Sequence, residues 1–128
     1  MARILTTFAA VALASAATLT ASGAFAGGNA ANGHSLSARC TACHSMTSDG
    51  GNRVGPNLFG VVGRKAGTLA GYSYSSAMKN SGLVWSEDVL AKYLMSPSTV
   101  VSGTKMTFGG FQQQQQASDV AAYLATLK

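Results

Sequence analysis

The sequence lacks several features that would place it in common classes of protein. After residue 26, no apolar run is long enough to cross a membrane, and no stretch alternates apolar and polar residues as a β-strand would. Basic residues are scattered rather than clustered with aromatic ones, which argues against nucleic acid as a partner. There are only two cysteines, and they lie three positions apart. The chain is long enough for one domain, not two.

The first 26 residues have the pattern of a secretory signal peptide. Arg3 is the only charged residue among them, and Ala24-Phe25-Ala26 is the small-x-small sequence that a signal peptidase reads. We predict cleavage after Ala26, so that residues 27–128 form the mature domain in the periplasm. The alternative is an uncleaved membrane anchor. Ser and Thr dilute the run, however, and no stop-transfer charges follow it.

The mature chain is mildly basic, with eight Lys and Arg residues against four Asp and Glu residues. A weakly positive face suits an acidic protein partner. Export also places the two cysteines in an oxidising compartment, where free thiols do not persist. Both thiols must therefore be bonded to another group.

Short helices separated by long loops are predicted. The spacing of apolar residues indicates helices over about 29–41 and 73–80, a third from the N-cap Ser86 to Pro97, and a last one from about Ser118. Residues 98–110 are predicted to be a loop. So much loop around so few helices gives a poor core, and a large apolar cofactor at the centre would explain how the loops are ordered.

The segment Cys40-Thr41-Ala42-Cys43-His44 is a C-x-x-C-H sequence, which is typical of covalent haem attachment. Two thiols at this spacing reach the two vinyl groups of one porphyrin, and His44 then offers an imidazole nitrogen to the iron. A structural disulfide, a thioredoxin-like redox pair and a zinc site are the alternatives. A redox pair would follow a strand in a βαβ unit, and zinc would need four ligands, yet the only other histidine is His34.

Met106 is the candidate for the sixth ligand of the iron. It lies in a Gly-containing loop, and a thioether opposite a histidine raises the reduction potential and fills the site. Met46 is too close to His44 to reach the opposite face, and Met95 ends a helix. Spacing alone leaves open that Met106 is an ordinary core methionine.

Taken together, these segments resemble the class I cytochromes c, and in particular bacterial cytochromes c of the mitochondrial type. The resemblance runs in order along nearly all of the mature chain. Its further matching segments are Gly55-Pro56-Asn57-Leu58-Phe59-Gly60, Gly63-Arg64-Lys65, Gly71-Tyr72-Ser73-Tyr74, Gly82-Leu83-Val84-Trp85, Tyr93-Leu94, Gly103-Thr104-Lys105-Met106 and Ala122-Tyr123-Leu124.

The resemblance implies an all-α, class I cytochrome c fold, with three to five short helices and loops wrapped around one haem c. The haem would be covalent through Cys40 and Cys43, with its iron between His44 and Met106.

It also implies roles for residues around the haem. The Pro56 carbonyl would accept the N–H of the proximal histidine, and Tyr93 would hydrogen-bond near the Met106 sulfur. Arg64, Tyr74 and Trp85 would bind or shield the propionates.

Three further positions stand out in the resemblance. Gly33 would let the first and last helices cross closely beside Tyr123. Two positions depart from the family: Ser102 in place of a proline would loosen the methionine loop, and Met78 in place of an asparagine would alter a buried polar network beside the haem.

The implied function is one-electron carriage in the periplasm by a monomer that is not an enzyme. The expected partners are redox proteins: a membrane cytochrome bc complex, and an oxidase, a reaction centre or a reductase. A haem sensor or weak peroxidase with an open sixth position is one rival, and a thiol–disulfide oxidoreductase that uses Cys40 and Cys43 is another.

Overall fold

The computed structural model describes residues 27–128, and within them five α-helices are joined by long loops. The predicted signal peptide lies outside the described residues. The helices are α1 (Ala30–Leu36), α2 (Ser76–Lys79), α3 (Glu87–Met95), α4 (Pro97–Val100) and α5 (Gln114–Ala125), and a 3₁₀ turn over Ser37–Arg39 follows α1. The only β-structure among these residues is an isolated bridge between Lys65 and Val84. The all-α prediction is therefore confirmed.

The first and last helices cross at Gly33. This glycine is buried, and a Cβ added to it would overlap the backbone carbonyl of Asp119 and lie 2.8 Å from the Cβ of Tyr123. Only a residue without a side chain permits so close an approach. The predicted close crossing is confirmed. A second link forms at the start of α1, where the Asn29 N–H donates to the Asp119 carboxylate at 2.7 Å.

Helix α3 packs against α5 and supplies much of the core. Ser86 caps α3, as predicted, because its hydroxyl accepts from the Val89 N–H at 3.2 Å. The apolar spacing along the helix buries Leu90, Tyr93 and Leu94. The buried residues of α5 that join them include Val120 and Leu124.

Several helix boundaries differ from prediction for local reasons. The first helix tightens to a 3₁₀ turn after Leu36, and α2 spans only Ser76–Lys79. Pro97 ends α3 as expected, but it also begins α4, since its missing N–H is not needed at the first position of a helix. The predicted loop over residues 98–110 was therefore wrong for residues 98–100 and is confirmed for residues 101–110. The last helix begins at Gln114, four residues before the predicted start, because glutamine favours helix even where no apolar periodicity marks it.

Candidate functional site

The loops and helices enclose a cavity of about 340 Å³. This volume lies in the range of about 300–1,000 Å³ that is usual for cofactor and small-molecule sites. All residues that the sequence predicted to contact a haem line its wall: Cys40, Cys43, His44, Pro56, Arg64, Tyr74, Trp85, Tyr93 and Met106. They come from positions up to 66 residues apart in the numbering, so the fold has brought them together.

The two cysteines lie on the turn that follows the 3₁₀ segment. The Cys43 N–H and the His44 N–H both donate to the Cys40 carbonyl, at 3.0 and 2.9 Å. This turn holds the two thiols and the imidazole on the wall of one cavity. Burial raises the pKa of the Cys40 thiol, so before attachment it is held in the protonated form.

The imidazole of His44 is oriented by Pro56 and Gly55. His44 Nδ1 donates to the Pro56 carbonyl at 2.6 Å, which leaves Nε2 without a proton and able to bind a metal. Burial lowers the pKa of His44, so the neutral form of the ring is favoured further. A Cβ on Gly55 would lie 2.7 Å from His44 Nδ1 and 2.8 Å from Nε2. The absence of a side chain at Gly55 therefore makes room for the ring.

Met106 lies in a loop whose two ends are tied to the helices. At one end the Val101 N–H donates to the Pro97 carbonyl, and at the other the Phe111 N–H donates to the Leu94 carbonyl, both at 2.9 Å. Gly110 has a positive φ of 108°, and a Cβ there would overlap the Met95 carbonyl. The loop thus returns tightly to the end of α3 and lays Met106 on the cavity wall.

Tyr93 forms its hydrogen bond two positions before Met106 in the methionine loop. Its hydroxyl pairs with the Thr104 hydroxyl at 2.8 Å, and the same Thr104 oxygen accepts from the Met106 N–H at 3.4 Å. Tyr93 therefore acts on the backbone of Met106 through Thr104. The Trp85 ring lies 5.0 Å from the Tyr93 ring and is buried beside it.

The side chain of Arg64 is held by backbone carbonyls. Its guanidinium donates to the carbonyls of Asn57 at 2.9 Å and Phe59 at 2.6 Å. The isolated bridge between Lys65 and Val84 brings the backbone of Arg64 beside that of Trp85. There the Trp85 N–H donates to the Arg64 carbonyl at 2.9 Å. Nearby, the Tyr74 hydroxyl accepts from the Leu69 N–H at 3.3 Å and keeps its own proton to donate. Both side chains thus present donors that suit a carboxylate.

The composition of the wall fits a haem. Apolar side chains such as Leu90, Leu94 and Phe108 cover the interior, while Arg64 and Tyr74 supply donors suited to propionates. Met78 adds a buried thioether where the resemblance led us to expect an altered polar network. The same wall carries two thiols that could form thioethers to the haem vinyl groups, together with a ring nitrogen and a thioether, which are the kinds of group that bind haem iron.

An all-α shell of short helices and loops around such a cavity defines a haem protein of the c type. The comparisons with known proteins give the particular family. The family model described as "Cytochrome c" matches residues 30–128, and the chain belongs to the cytochrome c family. Members of this family are one-electron carriers and are not, in general, enzymes. This chain accordingly carries a single haem c, with its iron, bound covalently through the C-x-x-C-H segment at Cys40 and Cys43.

Relatives and a solved structure of this family match most of this chain. A cytochrome c2 from Rhodomicrobium vannielii is 44% identical over 116 residues, which are 91% of this chain and 93% of the relative. A cytochrome c from Gibberella zeae is 45% identical over 100 residues, 77% of this chain and 94% of the relative. The structure of cytochrome cH from Methylobacterium extorquens is 45% identical with a TM-score of 0.73, and the match covers 77% of this chain and 99% of that one.

From the sequence we assigned no role of their own to Gly55 and Thr104, and we assigned Lys105 only to the weakly positive face, although the structure places each of them against the site. Gly55 precedes Pro56, and that pair was a signal of a special backbone position. Thr104 and Lys105 carried no such signal, because their partners are far away in the chain. The Lys105 ammonium, for example, donates to the Ser73 carbonyl at 2.6 Å.

Proposed function

We propose that this chain is a periplasmic electron carrier whose haem iron is held between His44 and Met106. The observation that carries the proposal is that one cavity brings the imidazole of His44, with its Nδ1 bonded to Pro56, together with the thioether of Met106. The haem supplies a one-electron couple between ferrous and ferric iron. The protein's part is to exclude water with its apolar wall and to keep both ligands in place, so that little rearranges when the charge of the iron changes.

The residues around the ligands have positioning roles in this proposal. Pro56 fixes the tautomer of His44, and Tyr93 orders the backbone of Met106 through Thr104. Arg64, Tyr74 and Trp85 bind or shield the propionates from the same wall. A filled sixth position leaves no open coordination site, and for that reason we propose that the chain is not an enzyme.

The proposed partners are redox proteins. A membrane cytochrome bc complex would be the donor, and an oxidase, a reaction centre or a reductase would be the acceptor. Cleavage after Ala26 would release residues 27–128 into the periplasm as a monomer. Within these residues, no helix has the length and apolar character that crossing a bilayer requires.

Absorption spectra of the mature holoprotein test this proposal, with and without the substitution Met106→Ala. The parent should show a c-type spectrum and, when ferric, the near-infrared band of a methionine–iron bond. Met106→Ala should keep the c-type spectrum and lose that band. Met95→Ala is the matched control, because Met95 does not line the cavity. The near-infrared band of this variant should equal that of the parent.

The rival functions predict different results. A sensor or weak peroxidase with an open sixth position would lack the band in the parent and would bind carbon monoxide readily when ferrous at neutral pH. Either result would replace the electron-carrier proposal.

A further inference from the structure

Lys105, the residue next to Met106, joins the methionine loop to a distant segment. Its ammonium donates to the Ser73 carbonyl at 2.6 Å, across 32 positions of sequence. It also lies 5.5 Å from the centre of the Tyr72 ring, within the range of a cation–π contact. Both contacts hold the middle of the loop against residues 72–73.

Tyr72 continues this connection toward the other axial ligand. Its hydroxyl donates to the Val54 carbonyl at 3.0 Å, and Val54 directly precedes the glycine that makes room for His44. Lys105, Tyr72 and Val54 all line the cavity. The contacts therefore form a path from Met106 to the segment that packs on His44.

Besides the contacts of Lys105, the middle of the methionine loop is held at Thr104, whose hydroxyl is paired with that of Tyr93. The backbone bonds at Val101 and Phe111 tie only its ends. Gly103 has a positive φ of 94°, and its nearest neighbour would be the Ala77 Cβ, 3.1 Å from an added Cβ. Ser102 is exposed and carries no ring to stiffen the backbone. The link through Lys105 therefore gives the loop a second attachment beside Met106, to residues 72–73, whereas Thr104 attaches it to α3.

We propose that Lys105 and Tyr72 form a clasp across the mouth of the cavity that keeps Met106 on the iron against competing ligands. The inference rests on the proposed His44/Met106 ligation. Lys105 is a positioning residue in it, because it touches Ser73 and Tyr72 and acts on the iron only through the loop.

The size of the effect follows from the population of the open loop. An external ligand binds only when Met106 has left the iron, so its apparent affinity is proportional to the fraction of open molecules. Because the clasp is exposed to solvent, its charge-assisted hydrogen bond contributes only modestly. Removing the clasp should therefore raise the fraction of molecules in which Met106 has left the iron about 3- to 10-fold.

Titration of the ferric holoprotein with imidazole, followed by loss of the methionine band, tests the clasp. Lys105→Ala should bind imidazole about 3- to 10-fold more tightly than the parent. Lys105→Arg should restore the parent value, because a guanidinium can still donate to the Ser73 carbonyl. Lys128→Ala removes the same charge from a residue that does not line the cavity, and it should leave the affinity unchanged.

The variant Tyr72→Phe removes the hydroxyl bonded to Val54 and keeps the ring under Lys105. It should also tighten imidazole binding, and in combination with Lys105→Ala it should add little, since both belong to one connection. An affinity of Lys105→Ala within twofold of the parent, or an equal change in Lys128→Ala, would overturn the clasp alone. A parent without the methionine band would instead overturn the proposed ligation, and the clasp with it.

Discussion

His44 is positioned by two neighbours that act in different ways. Pro56 offers a carbonyl that accepts from Nδ1, and Gly55 offers the absence of a side chain against the ring. The hydrogen bond selects the tautomer that presents Nε2, and the open space lets the ring take the orientation that this bond requires. The Gly-Pro pair thus positions His44 both by accepting a hydrogen bond and by leaving space for the ring.

The substitution Gly55→Ala tests the role of that space. The added Cβ would approach both ring nitrogens to 2.7–2.8 Å, closer than any real Cβ contact, so the ring or the loop must move. We expect a lower yield of holoprotein per chain and an altered c-type spectrum, measured after periplasmic expression.

The matched control is Gly51→Ala, four positions earlier in the same loop, where an added Cβ would have no neighbour within 4 Å. Its yield and spectrum should equal those of the parent. If the yield and spectrum of Gly55→Ala also equalled those of the parent, the space beside His44 would have no role in haem binding.

At this scale the sequence predicted residue types better than it predicted contacts. Cys40, Cys43 and His44 were identified from their spacing, because the attachment chemistry is local. For Tyr93, the prediction was a hydrogen bond near the Met106 sulfur with no partner named, and the structure gives the Thr104 hydroxyl as the partner. A hydroxyl bonds to whichever partner the packing brings near, and no sequence pattern specifies that choice.

Among the helices, the crossing of α1 and α5 depends on a single glycine. Gly33 is in the middle of a short helix, where intrinsic propensity alone would favour alanine by about 1 kcal/mol. The close approach of the Asp119 carbonyl reverses that preference. The conflict between local propensity and packing is resolved in favour of packing.

We therefore expect Gly33→Ala to destabilise the holoprotein, although the change favours helix. The overlap with backbone atoms should force the helices apart and lower the free energy of unfolding by about 1–3 kcal/mol. Denaturant unfolding of the holoprotein measures this.

Ser35→Ala is the control, since Ser35 is exposed on the same helix and should change stability by less than about 0.5 kcal/mol. A Gly33→Ala protein as stable as the parent would show that the two helices can separate at no cost.

The boundaries of the helices were predicted less well than their existence. Ser86 and Pro97 marked the ends of α3 because capping and the missing N–H of proline act locally. The start of α5 was missed because a run of glutamines has helix propensity but no apolar face. Those residues are helical because their own propensity is supported by the buried remainder of the same helix.

For the molecule as a whole, Asp119 joins the two ends of the described chain. It is 4% exposed, and the Asn29 N–H, 90 positions away, donates to its carboxylate. The Gln115 amide donates to the same oxygen at 2.8 Å. The Asn29 bond, with that from Gln115, holds the pKa of Asp119 below its usual range despite burial.

This lowered pKa predicts a specific loss of stability in acid. A carboxyl whose pKa is lower when folded stabilises the fold above its unfolded pKa of about 3.9, and that contribution is lost as the pH falls through the folded value. The midpoint temperature of thermal unfolding should therefore decrease as the pH is lowered below about 5. The decrease should be less steep for Asp119→Asn than for the parent.

Haem propionates titrate in both proteins, so the difference between the two profiles isolates Asp119. Asp49→Asn is the control, because Asp49 is exposed, and its profile should follow that of the parent. Identical slopes for the parent and Asp119→Asn would contradict the stabilising role.

The sequence by itself determined the attachment motif, the helical character of the segments and, through resemblance, the class of the fold. These depend on spacing along a few neighbouring residues, where bond lengths and helical periodicity allow little freedom. Only the tertiary structure decided that Tyr93 bonds to Thr104, that Lys105 reaches Ser73 and that Asp119 holds Asn29. Such pairs are 11, 32 and 90 positions apart. They meet because the whole chain folds around one cavity, and no local pattern encodes which distant groups that folding brings within bonding distance.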